Sequence, residues 1–174
     1  RQFELDVYFN EEAGDFEVYH FPIIDEEVTC GWLSECAQVM KGWSDENPTH
    51  HPFLVLVEVK SDFDSETAAT LLSVLDEVLL SVWPVERLVT PDVVQGDFDN
   101  VRDAIAEVGW PTIDSLRGRG LFVLHAGGEF NDAYTDGGTT TEGRILFPDS
   151  YGNLDNTYAA VHSMNDPQGG FDSI

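Results

Sequence analysis

Apolar and polar positions alternate over residues 2–9, QFELDVYF, which is the period of a strand with two unlike faces. A glycine-bearing turn, EEAGD, leads into a second extended stretch, FEVYHF at 16–21. Over 30–43 the period lengthens, and Trp32, Leu33, Cys36, Val39, Met40 and Trp43 recur at helical spacing. The loop SDENPTHHP is punctuated by prolines. After it, FLVLVEVK at 53–60 is apolar at most positions, as expected of a strand covered on both faces. A helix is predicted over 65–82, with Ser65 as its N-cap, a Leu-rich face and Pro84 as its stop. Another is predicted from Asp97 to Val108, ending before Gly109. GLFVLH at 120–125 reads as a further buried strand, 126–143 as a Gly/Thr/Asp-rich loop, and NTYAAVHSM at 156–164 as a last strand.

This alternation of strands and helices predicts an α/β protein with a parallel sheet. No glycine-rich phosphate loop follows the first strand, which weakens a nucleotide-binding reading. The 174 residues make one domain or a large part of one, and fall short of the ~250 typical of an eight-unit barrel. Periodicity alone leaves a doubly wound sheet and a barrel both open. With 42% hydrophobic residues the chain can build a core, and no apolar run approaches the ~20 residues that span a bilayer. The first residue is Arg1 and no signal peptide is visible, so the chain is expected to be processed or cut from a longer one.

Charge narrows the partners. Lys and Arg total 8 against 33 Asp and Glu, a formal charge of −25, and the only lysines are Lys41 and Lys60. Such a surface repels nucleic-acid backbones and suits high salt or divalent cations. At ~1 M salt the Debye length is only ~3 Å, so the net charge does not bar an anionic substrate. Cys30 and Cys36 lack the spacing of a metal site. They fit either a short-loop disulfide, if Cys30 precedes the helix carrying Cys36, or two buried thiols; the former favours an oxidising, extracellular compartment.

The candidate chemistry lies in carboxylates. Glu4 and Asp6 are two apart on a strand and project from one face, opposite Phe3, Leu5 and Val7. Turned inward they repel each other unless a cation or proton lies between them; on an edge strand they are merely solvated. Glu58, near the end of a run otherwise too apolar for an exposed strand, needs a partner. Lys60 shares its face, and a plain salt bridge at a strand end is the lesser alternative. Three carboxylates at C-terminal strand ends would form an all-oxygen site suited to Ca²⁺ rather than zinc. His20, beside such a cation, is a candidate general acid. His50 and His51, in a polar loop, read as structural or solvated.

The series ELDVYF, VYHFP and the helix running into WSDENPTHHPFLVLVEVK, with GWPTIDSLRGRGLFVL later, resembles the calcium-dependent phosphatidylinositol-specific phospholipase C family, in particular its secreted bacterial branch. The resemblance runs from Arg1 to about Pro167. It implies a distorted TIM-type (β/α) barrel, incomplete in this chain, with 1–174 as a single partial barrel domain. It implies Glu4, Asp6 and Glu58 as Ca²⁺ ligands, and His20 as the histidine that stabilises the phosphorane and protonates the diacylglycerol oxygen. The inositol 2-hydroxyl attacks phosphorus, giving a cyclic inositol phosphate. Lys60 is placed to hold the developing charge. His125 shares a face with Leu121 and Val123 and would reach the mouth of the site as a substrate-binding residue, although the branch more usually carries Asp there.

The family's first catalytic histidine and an Asn that ligates calcium belong to a strand before ELD, and its last strands follow NDPQ. A fragment is therefore expected, inactive and poorly stable alone, with exposed sheet edges and half a core. The expected protein is a secreted, monomeric enzyme acting on a phospholipid or phosphodiester, with peripheral membrane contact. The rivals are a glycerophosphodiester phosphodiesterase, which usually has His-Asp where His20-Phe21 stands, and a non-catalytic calcium-binding barrel module.

Overall fold

A computed structural model describes residues 2–19, 29–61 and 65–163. Among these residues the sheet has five strands in the order β2-β1-β3-β4-β5. Strands β1 (Gln2–Asn10), β3 (Phe53–Val59), β4 (Gly120–His125) and β5 (Leu146–Pro148) run parallel, and β2 (Asp15–Val18) folds back antiparallel on the end of β1. The hairpin turn closes on Gly14, whose φ of 62° lies in the left-handed region.

The apolar runs of β3 and β4 are explained by cover on both faces. On one side Val7, Val55, Val57, Phe122, Leu124 and Leu146 pack against Leu33, Cys36 and Ala37 of helix α1 (Leu33–Glu46), and against the leucines of helix α2 (Ser65–Val82). Trp83 is fully buried at the end of α2 and donates its Nε1–H to the Ala37 carbonyl at 3.2 Å. The other face, which a closed barrel would turn inward, is not bare. Leu56, Leu121, Val123 and Phe147 pack with Val89, Val94, Val101 and Leu116, around helices α3 (Pro91–Gln95) and α4 (Val101–Val108). The half-exposed core expected of a partial barrel is therefore corrected: the chain covers much of its own inner face.

Element ends moved where capping chemistry decided them. Helix α1 begins at Leu33, not 30, leaving Cys30 outside; Cys30 and Cys36 form a disulfide with Cα atoms 5.2 Å apart. It also runs on to Glu46, because Ser44 is buried against the loop that follows. Asn100 caps α4 by accepting from the Asp103 N–H, so the DFD before it stays outside the helix predicted from Asp97. Thr90 and Pro91 start α3, a short helix the periodicity did not reveal. The loop 126–143 contains helix α5 (Glu129–Tyr134). Strand β2 ends at Val18, short of the predicted stretch, whose residues 20 and 21 lie outside the described ones. The predicted strand at 156–164 is overturned: its described residues form turns with one bridge, Asp149 to Val161. The fourth parallel strand is instead Leu146–Pro148. Ala160 and Val161 are apolar because they pad the inner-face cluster.

Helix α5 is anchored by a buried polar network. The Tyr134 hydroxyl donates to Asp76 Oδ1 at 2.6 Å and accepts from the Leu146 N–H at 3.1 Å, while Arg144 lies 3.5 Å from Asp76 Oδ2. Burial pushes the Asp76 carboxyl up to about 6, outweighing the Tyr134 and Arg144 contacts that lower it. A carboxyl whose folded-state pKa exceeds its unfolded value binds protons more readily when folded, so it costs stability above about pH 6 and that cost fades as pH falls towards 4. Asp76→Asn should therefore gain stability relative to the parent between pH 4 and pH 7, by up to about 3 kcal/mol at ~1.4 kcal/mol per unit. Urea unfolding at both pH values checks this; a difference that does not change with pH would remove the assignment.

Candidate functional site

Parallel pairing lines up one row of side chains across the sheet. Asp6 pairs with Glu58, Glu58 with His125, and the Asp149 N–H donates to the Leu124 carbonyl at 3.0 Å just past the end of β5. Period-2 alternation turns Asp6, Glu58 and His125 to the inner face, with Glu58 and His125 at the C-terminal ends of β3 and β4 and Asp6 midway along β1. Glu4 stands two residues before Asp6 on that face. Ligand oxygens of Glu4, Asp6 and Glu58 all lie within 4.8 Å of one another. Glu4 is exposed and the other two are half-buried.

The edge-strand alternative fails for Asp6, half-buried beside Glu58, whereas Glu4 is exposed as that alternative expected, and Glu58 has both partners weighed for it. Lys60 Nζ lies 2.6 Å from Glu58 Oε1 and 3.7 Å from Asp6 Oδ1, an ammonium set among the carboxylates. Burial raises the Glu58 carboxyl, but the hydrogen bond from Lys60 and the smaller effects of Asp6 and His125 bring it below the usual range. The bond to Glu58, with Asp6 adding charge, holds the Lys60 ammonium above its usual range despite burial. An all-oxygen donor set of this charge fits a hard divalent cation such as Ca²⁺, which takes 6–8 oxygens, so these three supply part of a shell.

His125 is buried, and its partner is a side chain rather than the backbone. Its Nδ1 lies 2.8 Å from Asp149 Oδ2. Asp149 is itself buried and fully engaged: Oδ1 accepts the N–H groups of Tyr151 at 2.9 Å and Ser163 at 3.1 Å, and Oδ2 also accepts the Ser163 hydroxyl. Burial raises the Asp149 carboxyl, but these donors, led by the Ser163 hydroxyl, leave it below its usual value. The half-exposed Tyr151 ring stacks on the imidazole with centroids 5.3 Å apart, and its backbone φ of 46° is left-handed. Burial, with the negative charges of Asp149 and Glu58, pushes the Tyr151 hydroxyl up to about 12, so it stays protonated.

His20 lies outside the described residues. His50 is structural, as expected: it shares a 2.7 Å hydrogen bond with Ser44, reaches the His51 carbonyl at 2.6 Å and packs on Trp43 and Phe53. An apolar groove of about 520 Å³, lined by Phe3, Met40, Trp43 and Phe53 among others, opens where β3 begins, at the opposite end of the strands from the carboxylates. Asp149, Tyr151 and Ser163 escaped the sequence reading. The signal was the run ILFPD, in which Asp149 follows a short apolar strand as Glu58 and His125 end theirs.

A family model described as phosphoinositide phospholipase C, Ca²⁺-dependent, matches residues 5–174. No curated protein matches the chain. Among solved structures, a calcium-dependent phosphoinositol-specific phospholipase C from a Gram-negative Pseudomonas sp., in apo form and as a myoinositol complex, is similar at 24% identity and TM-score 0.72, over 91% of this chain and 59% of its own. A Ca²⁺-dependent phosphatidylinositol-specific phospholipase C from Streptomyces antibioticus is similar at 18% identity and TM-score 0.64, over 85% of this chain and 56% of its own. The chain thus spans less than two thirds of these structures, whose fold it shares.

Because the Lys60 ammonium occupies the same carboxylates as a bound cation would, the two compete. Lys60→Met should tighten calcium binding severalfold and Glu58→Gln should weaken it at least tenfold. Calorimetric titration of both variants with CaCl₂ checks this, and equal affinities across parent and variants would dissolve the site.

Proposed function

The chain belongs to the Ca²⁺-dependent phosphoinositide phospholipase C family, an α/β fold of the TIM-barrel type present here in part, and on that premise we propose that it serves a calcium-dependent phosphodiesterase cleaving phosphatidylinositol, or a related phosphodiester, to diacylglycerol and an inositol phosphate, cyclic first. The observation that carries this reading is the convergence of Glu4, Asp6 and Glu58 on one face, with Glu58 at the C-terminal end of β3 and Asp6 paired beside it, the end at which barrel enzymes keep their chemistry.

Glu4, Asp6 and Glu58 would hold the calcium ion. When bound, calcium lowers the pKa of the attacking inositol 2-hydroxyl and neutralises charge on the phosphoryl oxygens. Lys60, already paired with Glu58, turns its ammonium to the same oxygens as they gain charge. His20 stabilises the phosphorane and donates a proton to the departing glycerol oxygen. His125 lines the mouth and meets the head group. The substrate is a membrane lipid, so contact with the bilayer is peripheral, by an enzyme working as a monomer. The disulfide of Cys30 and Cys36 supports an oxidising, extracellular setting, where millimolar calcium and salt suit an acidic surface. Once the family is known, nothing favours a glycerophosphodiester substrate.

The whole protein should release inositol phosphate from phosphatidylinositol vesicles, lose that activity in EGTA and regain it with CaCl₂. His20→Ala should lower turnover about 10²–10⁴-fold with calcium affinity unchanged. Undiminished turnover would remove His20 from the mechanism. Calcium binding without any hydrolysis would leave a non-catalytic calcium module.

A further inference from the structure

Helix α5 is built as a separable piece. Its six residues stand between Gly128 and the pair Gly137 and Gly138, whose φ angles of 55°, 68° and 83° are all left-handed. A Cβ at Gly128 or Gly137 would have nothing within 4 Å, so backbone conformation rather than space calls for glycine there. Between these joints the helix turns Glu129 and Asp132 to solvent and Asn131 and Tyr134 inward. Two side chains hold it down. Asn131 Nδ2 donates to the Asp149 carbonyl at 2.8 Å. The Tyr134 hydroxyl donates to Asp76 of α2 and accepts from the Leu146 N–H of β5. The second hold therefore ends on a titratable group.

We propose that α5 is a strap, hinged at its flanking glycines and latched by the Tyr134–Asp76 bond, which opens as a unit and closes more firmly when Asp76 takes up a proton. The groups around the latch set that sign. Among the described residues, α5 faces Asp76 with the Tyr134 hydroxyl at 2.6 Å, and the segment entering β5 faces it with Arg144 at 3.5 Å. That guanidinium is already engaged: its Nε donates to the Tyr134 carbonyl at 2.9 Å, and it lies 4.5 Å over the Tyr134 ring. On α2 itself Glu77 points to solvent, while α1 and β2 meet the helix through apolar side chains such as Leu33, Phe16 and Val18. Lys41 of α1 lies over Trp83, about two turns further along α2. The closed strap thus gives the Asp76 carboxylate one donated hydrogen bond and one shared counter-charge in place of full hydration. Opening returns it to water, so the ionised form favours the open strap and the neutral form the closed one. The effect reaches the sheet. Helix α5 follows β4 directly and its Asn131 ties down Asp149, so a proton on the outer face sets how firmly the β4–β5 end is held. This device needs neither calcium nor substrate and stands apart from the phospholipase reading.

Amide hydrogen exchange of the whole protein, read as protection factors, tests both the strap and its latch. The Asp132 and Thr135 amides, bonded to the Gly128 and Asn131 carbonyls, should exchange together and well before those of β4. With the Asp76 carboxyl raised from 3.8 to about 6 in the closed strap, their protection should fall roughly tenfold between pH 5 and pH 7.5. Asp76→Asn should keep the latch, its amide oxygen accepting from Tyr134, and abolish that pH dependence. Tyr134→Phe should lower protection about tenfold at both pH values, since Asp76 and the Leu146 N–H each lose a partner. Should either variant fail to fold, the pH dependence of the parent still decides. Amides of α5 protected as strongly as those of β4 would overturn the strap. Parent protection that does not change with pH, or a change that persists undiminished in Asp76→Asn, would overturn the latch.

Discussion

Parallel pairing at about 4.8 Å between strands is the constraint from which the site follows. It sets Asp6, Glu58 and His125 side by side at one level of the sheet, with Asp149 just beyond the last strand. Carboxylates that close cannot all be charged and unpartnered in a half-buried place. The protein answers this in two ways along the same row. At the β1–β3 end it inserts a cation, the Lys60 ammonium, 2.6 Å from Glu58. At the β4–β5 end it encloses Asp149 in four hydrogen bonds, one of them from an imidazole. The first answer is exchangeable and leaves oxygens open to a stronger cation; the second is closed and fixes geometry.

The two ends therefore do different work. Lys60 sits on a flexible stem and can give up its place, so the carboxylates beside it are held together without being committed. Asp149 cannot be released without stranding two backbone N–H groups. Rigidity at that end depends on the core beneath it: Leu121, Val123 and Phe147 are packed under the row by α3 and α4. A strand end that moved would break the register on which the carboxylate spacing rests. The inner-face cover thus serves the site as well as stability.

Much of this was legible in the chain itself. The period-2 alternation of β1 separated Glu4 and Asp6 from Leu5 and Val7, and Glu58 stood out because FLVLVEV offers it no polar company. Long apolar strands announce themselves because burial on both faces suppresses alternation. What stayed hidden was short or locally capped. Strand β5 has three residues, too few for any period. Helix α3 has five and depends on Thr90 and Pro91 rather than on an apolar stripe. With β5 missed, Asp149 had no strand end to belong to, and His125 was left seeking a backbone partner. The apolar residues near 160 misled for the opposite reason: they pad a core without pairing along a strand.

The formal charge of −25 bears on the site through its exception. Lys60 is one of only two lysines, and the other, Lys41, is spent on an i,i+4 pair with Asp45 on the surface of α1. In a chain that keeps so few ammonium groups, a lysine set between Glu58 and Asp6 is not there for solubility. An exposed pair would contribute little, but Lys60 is partly enclosed and holds the Glu58 carboxyl ionised against the burial that opposes it. With neither the lysine nor a metal ion among them the carboxylates would tend to take up protons, whereas a divalent ion bound in place of the ammonium holds them ionised itself. The lysine thus keeps the carboxylates in the form a divalent ion requires, while competing with it for the same oxygens.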